Sequence, residues 1–91
     1  MSDTVRNNTA QNRFELDVDG EQAVAYYHMT PGVITFTHTE VPQALSGRGI
    51  GTKLVRGALE AARARGLKVE SRCPFVSAFL GKHPEYNDLI H

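Results

Sequence analysis

The order of patterns along the chain predicts an α+β fold: an antiparallel three-strand meander, a strand–helix–strand crossover and a short C-terminal helix. Three observations carry that expectation. Between residues 13 and 41 apolar positions alternate and turn residues interrupt them; after Pro42 the apolar period becomes helical; and beyond Gly66 alternation returns. A chain of 91 residues holds one domain of this kind and not two.

Residues 1–12, with Asn7, Asn8, Gln11 and Asn12, show no apolar period and are expected to form a flexible N-terminal arm, leaving 13–91 as the domain. Phe14, Leu16 and Val18 alternate with charged residues across Arg13–Val18, which predicts a strand with one buried face. Asp19-Gly20 suits a tight hairpin turn, and Glu21–Met29, rich in Val, Tyr and Ala, returns antiparallel. Thr30-Pro31-Gly32 turns the chain again. The third strand, Val33–Val41, is expected to place Ile34, Phe36, His38 and Glu40 on one face. Val33, Thr35, Thr37, Thr39 and Val41 then point the other way. Ile50, Leu54, Ala58 and Ala61 recur at helical spacing, predicting a helix from about Gly49 to Arg65 that Gly66 stops. Leu67–Ser71 reads as a fourth strand, with Leu67, Val69, Ser71 and Cys73 sharing a face; strand, helix and strand in succession make a right-handed parallel crossover. Pro74 opens a short helix running to about Lys82, and a tail after His83-Pro84 is anchored by Tyr86, Leu89 and Ile90.

Composition narrows the function classes. A chain 41% hydrophobic and 22% charged has the balance of a folded domain. Ten basic against ten acidic residues argue against holding nucleic acid by bulk electrostatics, so nucleic acid is not expected as a partner. Arg56, Arg63 and Arg65 read as a solvated helix face, with Arg56 and Glu60 as i,i+4 neighbours. Cys73 is the single cysteine, which fits a reducing compartment and a cytoplasmic location. No apolar run reaches the roughly 20 residues of a membrane span, and the polar start lacks the apolar stretch of a secretory signal. His28, His83 and His91 have no metal-ligand spacing with His38 or Cys73, and no metal is expected.

The strongest chemical signal is Gly47-Arg48-Gly49-Ile50-Gly51, running directly into the long helix. Glycines there let the backbone approach a ligand closely, and consecutive N–H groups at a helix start favour an anion such as a diphosphate. Arg48, Lys53 and Arg56 add positive charge. The competing reading is a glycine-rich turn that only eases the chain into the helix. A P-loop is excluded because no Lys-Ser/Thr pair follows at its spacing. A dinucleotide fingerprint would need glycine at Thr52, and the 21 residues after Glu70 are too few to complete a doubly wound sheet.

The segment Leu45-Ser46-Gly47-Arg48-Gly49-Ile50-Gly51-Thr52-Lys53-Leu54 resembles the acetyl-CoA loop of the GNAT N-acetyltransferase superfamily, whose pattern is Gln/Arg-x-x-Gly-x-Gly/Ala. Gly49 and Gly51 match, and Ser46 stands at the Gln/Arg position. With His38-Thr39-Glu40-Val41-Pro42 and Cys73-Pro74, the chain resembles a branch of very small single-domain GNAT-like proteins over about residues 13–90. The resemblance implies a minimal GNAT-like fold, in which two parallel strands splay apart to admit pantetheine. It implies acetyl-CoA as cosubstrate and an amine as acceptor. It also implies that the backbone of Thr39 to Val41 pairs with pantetheine, while Arg48, Gly49, Ile50, Gly51, Thr52 and Lys53 hold the diphosphate. The short link from Val18 to Glu21 has no room for the helices that wall the acceptor site in larger relatives. A non-catalytic acyl-CoA-binding or sensor module is therefore the alternative function.

His38 and Cys73 are the candidates for chemistry. Both are expected near the carboxyl ends of neighbouring parallel strands, where ligands bind in such crossovers. His38 is a suitable base for an incoming amine. Cys73 assists it or accepts the acetyl group, favoured as thiolate by the helix starting at Pro74. The bland alternatives are a core histidine in register with Ile34 and Phe36, and a cysteine acting as a small apolar side chain.

Overall fold

The computed structural model describes residues 4–91. Five strands lie in the order β1-β2-β3-β4-β5: β1 Arg6–Asn8, β2 Arg13–Val18, β3 Glu21–Thr30, β4 Val33–Glu40 and β5 Lys68–Ser71. The first four pair antiparallel, and β5 joins β4 in parallel after helix α1, Ile50–Ala64. Helix α2 follows at Pro74–Lys82, and a 3-10 segment at Pro84–Leu89 closes the chain. The predicted α+β order of meander, crossover and short helix is the observed one.

Both helices pack on one face of the sheet. Leu54, Val55, Ala58, Leu59 and Ala62 of α1 share a core with Phe14, Leu16, Ala23 and Ala25, and Val76, Phe79 and Leu80 of α2 join the same core. Alternation in β2 and β3 feeds this face with every second residue. Gly66, at φ +69°, ends α1 by letting Leu67 N–H reach the Ala62 carbonyl at 3.0 Å.

Residues 4–12, expected as part of an arm, include a strand. Arg6–Asn8 forms an edge strand with no apolar alternation, because its partner is a carboxylate. Glu15, only 5% exposed on the sheet face away from the helices, accepts hydrogen bonds from Arg6 at 2.8 Å, Asn8 at 2.9 Å and Arg13 at 2.6 Å. Arg6 also reaches Asp17 at 2.6 Å. A buried carboxylate needs such partners, and β1 supplies two of the three. On the opposite face Tyr27 donates to Asn7 at 2.6 Å, and Val5 lies against Gly57 of α1. Met1, Ser2 and Asp3 lie outside the described residues.

The bond from Asn8, reinforced by Arg13 and Arg6, holds the Glu15 carboxyl below its ordinary value of 4.5 despite its burial. A depressed folded-state value stabilises above the unfolded pKa and is lost as pH falls, because the unfolded chain then binds more protons. Melting temperature is therefore expected to fall as pH drops below about 4.5. Glu15→Gln should melt lower at neutral pH and lose less on acidification. Parallel pH profiles for the two proteins would remove Glu15 from this account.

The tail also differs from expectation. Arg56 and Arg63 lie on an exposed helix face, as expected, but the tail supplies partners for them. Arg63 pairs with Asp88 at 2.6 Å and Arg56 lies 3.6 Å from Glu85. Tyr86, buried beneath them, donates to Glu60 at 2.7 Å. Tyr86 and Leu89 anchor the tail as predicted. Ile90 stays exposed but forms a parallel bridge to Val69, and His91 N–H bonds the Val69 carbonyl at 2.8 Å.

One irregularity changes the site. Tyr27 pairs with Phe36, but the preceding Tyr26 pairs with His38, so Thr37 is an extra residue in β4. A bulge of this kind reverses the faces beyond it. Ile34 and Phe36 are fully buried, as expected, yet His38 and Glu40 point away from the core. Thr39, opposite the buried Ala25, takes the core side with Val41.

Candidate functional site

The link from β4 to α1 is a short 3-10 turn, Gln43–Leu45, followed by the glycine loop. Gly47 and Gly49 sit at φ +78° and +72°, a region where side chains are strained. Gly49 is the N-cap of α1; among the described residues no side chain caps the helix, and no acidic residue occupies its first turn. The first intrahelical bond runs from Lys53 N–H to the Gly49 carbonyl at 3.1 Å. The N–H groups of Ile50, Gly51 and Thr52 thus have no acceptor inside the helix. Arg48, Thr52 and Lys53 are exposed around them, and Arg48 reaches across to Asp19 of the β2–β3 turn at 2.7 Å.

A cavity of about 280 Å³ lies against this loop, bounded by Val41, Leu45, Ser46, the glycines and Phe75. A β-carbon on Gly47 or Gly49 would meet no protein atom within 4 Å. Gly51 is different, because a β-carbon there would come within 2.5 Å of the Phe75 ring. Phe75, 42% exposed, was not among the candidates. Sequence spacing gives no signal for it, because Phe75 stands i,i+4 to Phe79 and groups with the apolar side of its helix; its exposure beside the cavity appears only in the fold.

Beside the cavity the sheet divides. β4 and β5 pair from Val33↔Lys68 to Phe36↔Ser71, and the Arg72 N–H to Phe36 carbonyl bond, 2.8 Å, is the last between them. Beyond it β4 continues along β3 to Glu40, whereas β5 gives way to α2. Among the described residues, the β5-side edge of Thr39 and Glu40 has no strand partner. The parting begins at the bulge, where extra twist carries β4 away from its neighbour.

His38 and Cys73 flank this split from opposite faces, so the expectation that they share one cleft is corrected. Cys73, the N-cap of α2, is 2% exposed on the helix side, with Sγ 3.3 Å from Thr39 Oγ1. Its backbone N–H bonds Ser71 Oγ, which in turn meets Ser77 Oγ at 2.8 Å. His38 stands on the bare face, its side chain 61% exposed. Nε2 is 3.1 Å from Glu40 and the ring stacks on Tyr26 with centroids 6.3 Å apart. The reading of His38 as a core histidine fails with the same bulge. The structure brings Thr39, not His38, to Cys73.

Known proteins are similar to this chain. The sequence model described as "GCN5-related N-acetyl-transferase" matches residues 13–89. Protein NATD1 of Gallus gallus is 28% identical over 90 residues, covering 96% of this chain and 82% of that protein. Protein NATD1 of Homo sapiens is 28% identical over 83 residues, covering 88% and 74%. The solution structure of a GCN5-like candidate N-acetyltransferase from Staphylococcus aureus superposes with a TM-score of 0.75 at 29% identity, covering 100% of this chain and 91% of that one.

Proposed function

The chain belongs to the GCN5-related N-acetyltransferase family, and from that premise we propose that it binds acetyl-CoA at the glycine loop and transfers the acetyl group to an amine. The observation that carries this reading is the cavity at the α1 N-terminus opening beside the split between β4 and β5. The residues fit the cosubstrate: an uncapped helix start with no acidic residue in its first turn, and open space where Gly47 and Gly49 would carry side chains. Arg48, Gly49, Ile50, Gly51, Thr52 and Lys53 then hold the diphosphate, and the unpaired edge at Thr39 and Val41 takes the pantetheine arm. When bound, acetyl-CoA supplies the acetyl group as an activated thioester.

His38 takes the proton that the attacking amine must lose. Donation of Nε2–H to Glu40 orients the ring and leaves Nδ1 as the basic nitrogen. Cys73 lines the inner wall of the split beside Thr39 and assists there. Its burial and its separation from His38 favour direct transfer over an acetyl-cysteine route. The bare face, with no helix walling an acceptor, favours the second reading, a non-catalytic acyl-CoA-binding module. Free CoA released from acetyl-CoA with a panel of amines separates the two. Steady release well beyond one equivalent supports transfer. Binding without release by any amine overturns it.

A further inference from the structure

The bare face of the sheet carries a second cavity of about 420 Å³, lined by His28, Thr30, Thr35, Thr37, Glu70 and Arg72. It reaches the split, because Thr37 is the bulge residue and Arg72 makes the last β4–β5 bond. His38 is the next residue of β4 on that face. Elsewhere on this face charge is consumed internally: Arg6, Arg13, Glu15 and Asp17 are interlocked in ion pairs. Glu70 and Arg72 are the exception. Among the described residues neither makes an ion pair; Glu70 accepts only the Thr35 hydroxyl, at 3.1 Å, and the Arg72 guanidinium makes no side-chain bond.

An unpaired carboxylate and an unpaired guanidinium thus face one cavity. Glu70 is in β5 and Arg72 directly follows its end, so they lie about 6–7 Å apart along the chain. A carboxylate receives an ammonium, and a planar guanidinium receives a carboxylate or phosphate through paired hydrogen bonds. Threonine hydroxyls and the His28 imidazole make up the rest of the wall, and the lining has no large aliphatic side chain to hold an alkyl amine. We propose that this cavity binds a small molecule carrying both an acid group and an ammonium, its acid held by Arg72 where β4 and β5 part and its ammonium by Glu70, two residues back in the paired ladder. This site goes beyond the transferase reading, and it is testable without turnover.

The test follows backbone amide NMR shifts of the full isotope-labelled chain during titration. β-Alanine and O-phosphoethanolamine are the probes; ethylamine, putrescine and propionate are the controls. A saturable shift of the Thr35, Thr37, Glu70 and Arg72 amides by either probe is expected, with the tighter probe identifying the acid group. Arg72→Gln and Glu70→Gln should each weaken that probe by about tenfold or more, and the controls should bind at least as weakly. The proposal is overturned if neither probe binds, if a control binds as tightly, or if both variants keep wild-type affinity. A parallel sample with acetyl-CoA monitors the Gly47–Lys53 amides. Probe binding without that response leaves the site standing and removes the transferase reading, whereas the reverse result removes only the site.

Discussion

Gly49→Val is expected to abolish acetyl-CoA binding in a protein that still folds. At 100 times its dissociation constant a ligand stabilises the native state by about 2.7 kcal/mol. For a domain of this size that raises the melting temperature by roughly 10–20 °C. The valine side chain would enter the open space beside the uncapped start of α1, where Gly49 now leaves the first-turn N–H groups accessible. Because Gly49 sits at φ +72°, the substitution also strains the backbone by about 1–3 kcal/mol. The readout is therefore the ligand-induced shift, compared with Gly49→Ala, which bears the same strain with less bulk. Gly51→Val is the poorer test, since its side chain would strike Phe75 before any ligand. An undiminished shift in Gly49→Val, or no shift in the parent at millimolar acetyl-CoA, means the loop has been misassigned.

The second large effect separates base from covalent catalysis. His38→Ala should lower turnover by about 100-fold or more, the usual scale of general base catalysis, while Cys73→Ser costs less. Structural disturbance should be small, since the His38 side chain is largely exposed and, among the described residues, its one side-chain bond is to Glu40. A covalent route demands the opposite. Cys73→Ala would be the dead variant, and acetyl-CoA alone would leave one acetyl group on Cys73 in the intact mass, with free CoA released in equal amount. That adduct, paired with an active His38→Ala, would reverse the assignment. Equal rates in both variants and the parent would leave neither residue catalytic.

Apolar alternation in β2 and β3, the helical period of α1 and the stop at Gly66 were readable because each is repeated over several residues and burial enforces it. The glycine loop was readable because positive φ and an uncapped helix start restrict the residues that can stand there. Two features were not. β1 has no apolar signature; a buried carboxylate on the neighbouring strand recruits it, so the reason for Arg6 and Asn8 lies at Glu15. The bulge at Thr37 is one residue in a Thr-rich strand, where Thr-His-Thr reads equally well in either phase. That single residue decides which of His38 and Thr39 meets Cys73, so the site's two halves were identifiable as residues but not as faces. Phe75 was hidden for a related reason: its neighbour Gly51 comes from a different element.

The closing contact of the tail bears on how the molecule meets copies of itself. A sheet ends in two rows of unsatisfied peptide groups, and an uncovered row is a template for another chain. One outer strand here, β1, offers only three residues bearing Arg and Asn side chains. The other, β5, is four residues long, and its free edge is met by Ile90 and His91 through the bond to the Val69 carbonyl. Both borders are thereby blunted, one by brevity and charge, the other by Ile90 and His91. The sheet is terminated against intermolecular strand addition, and the unpaired backbone at Thr39 and Glu40 lies in an interior fork rather than on an open rim.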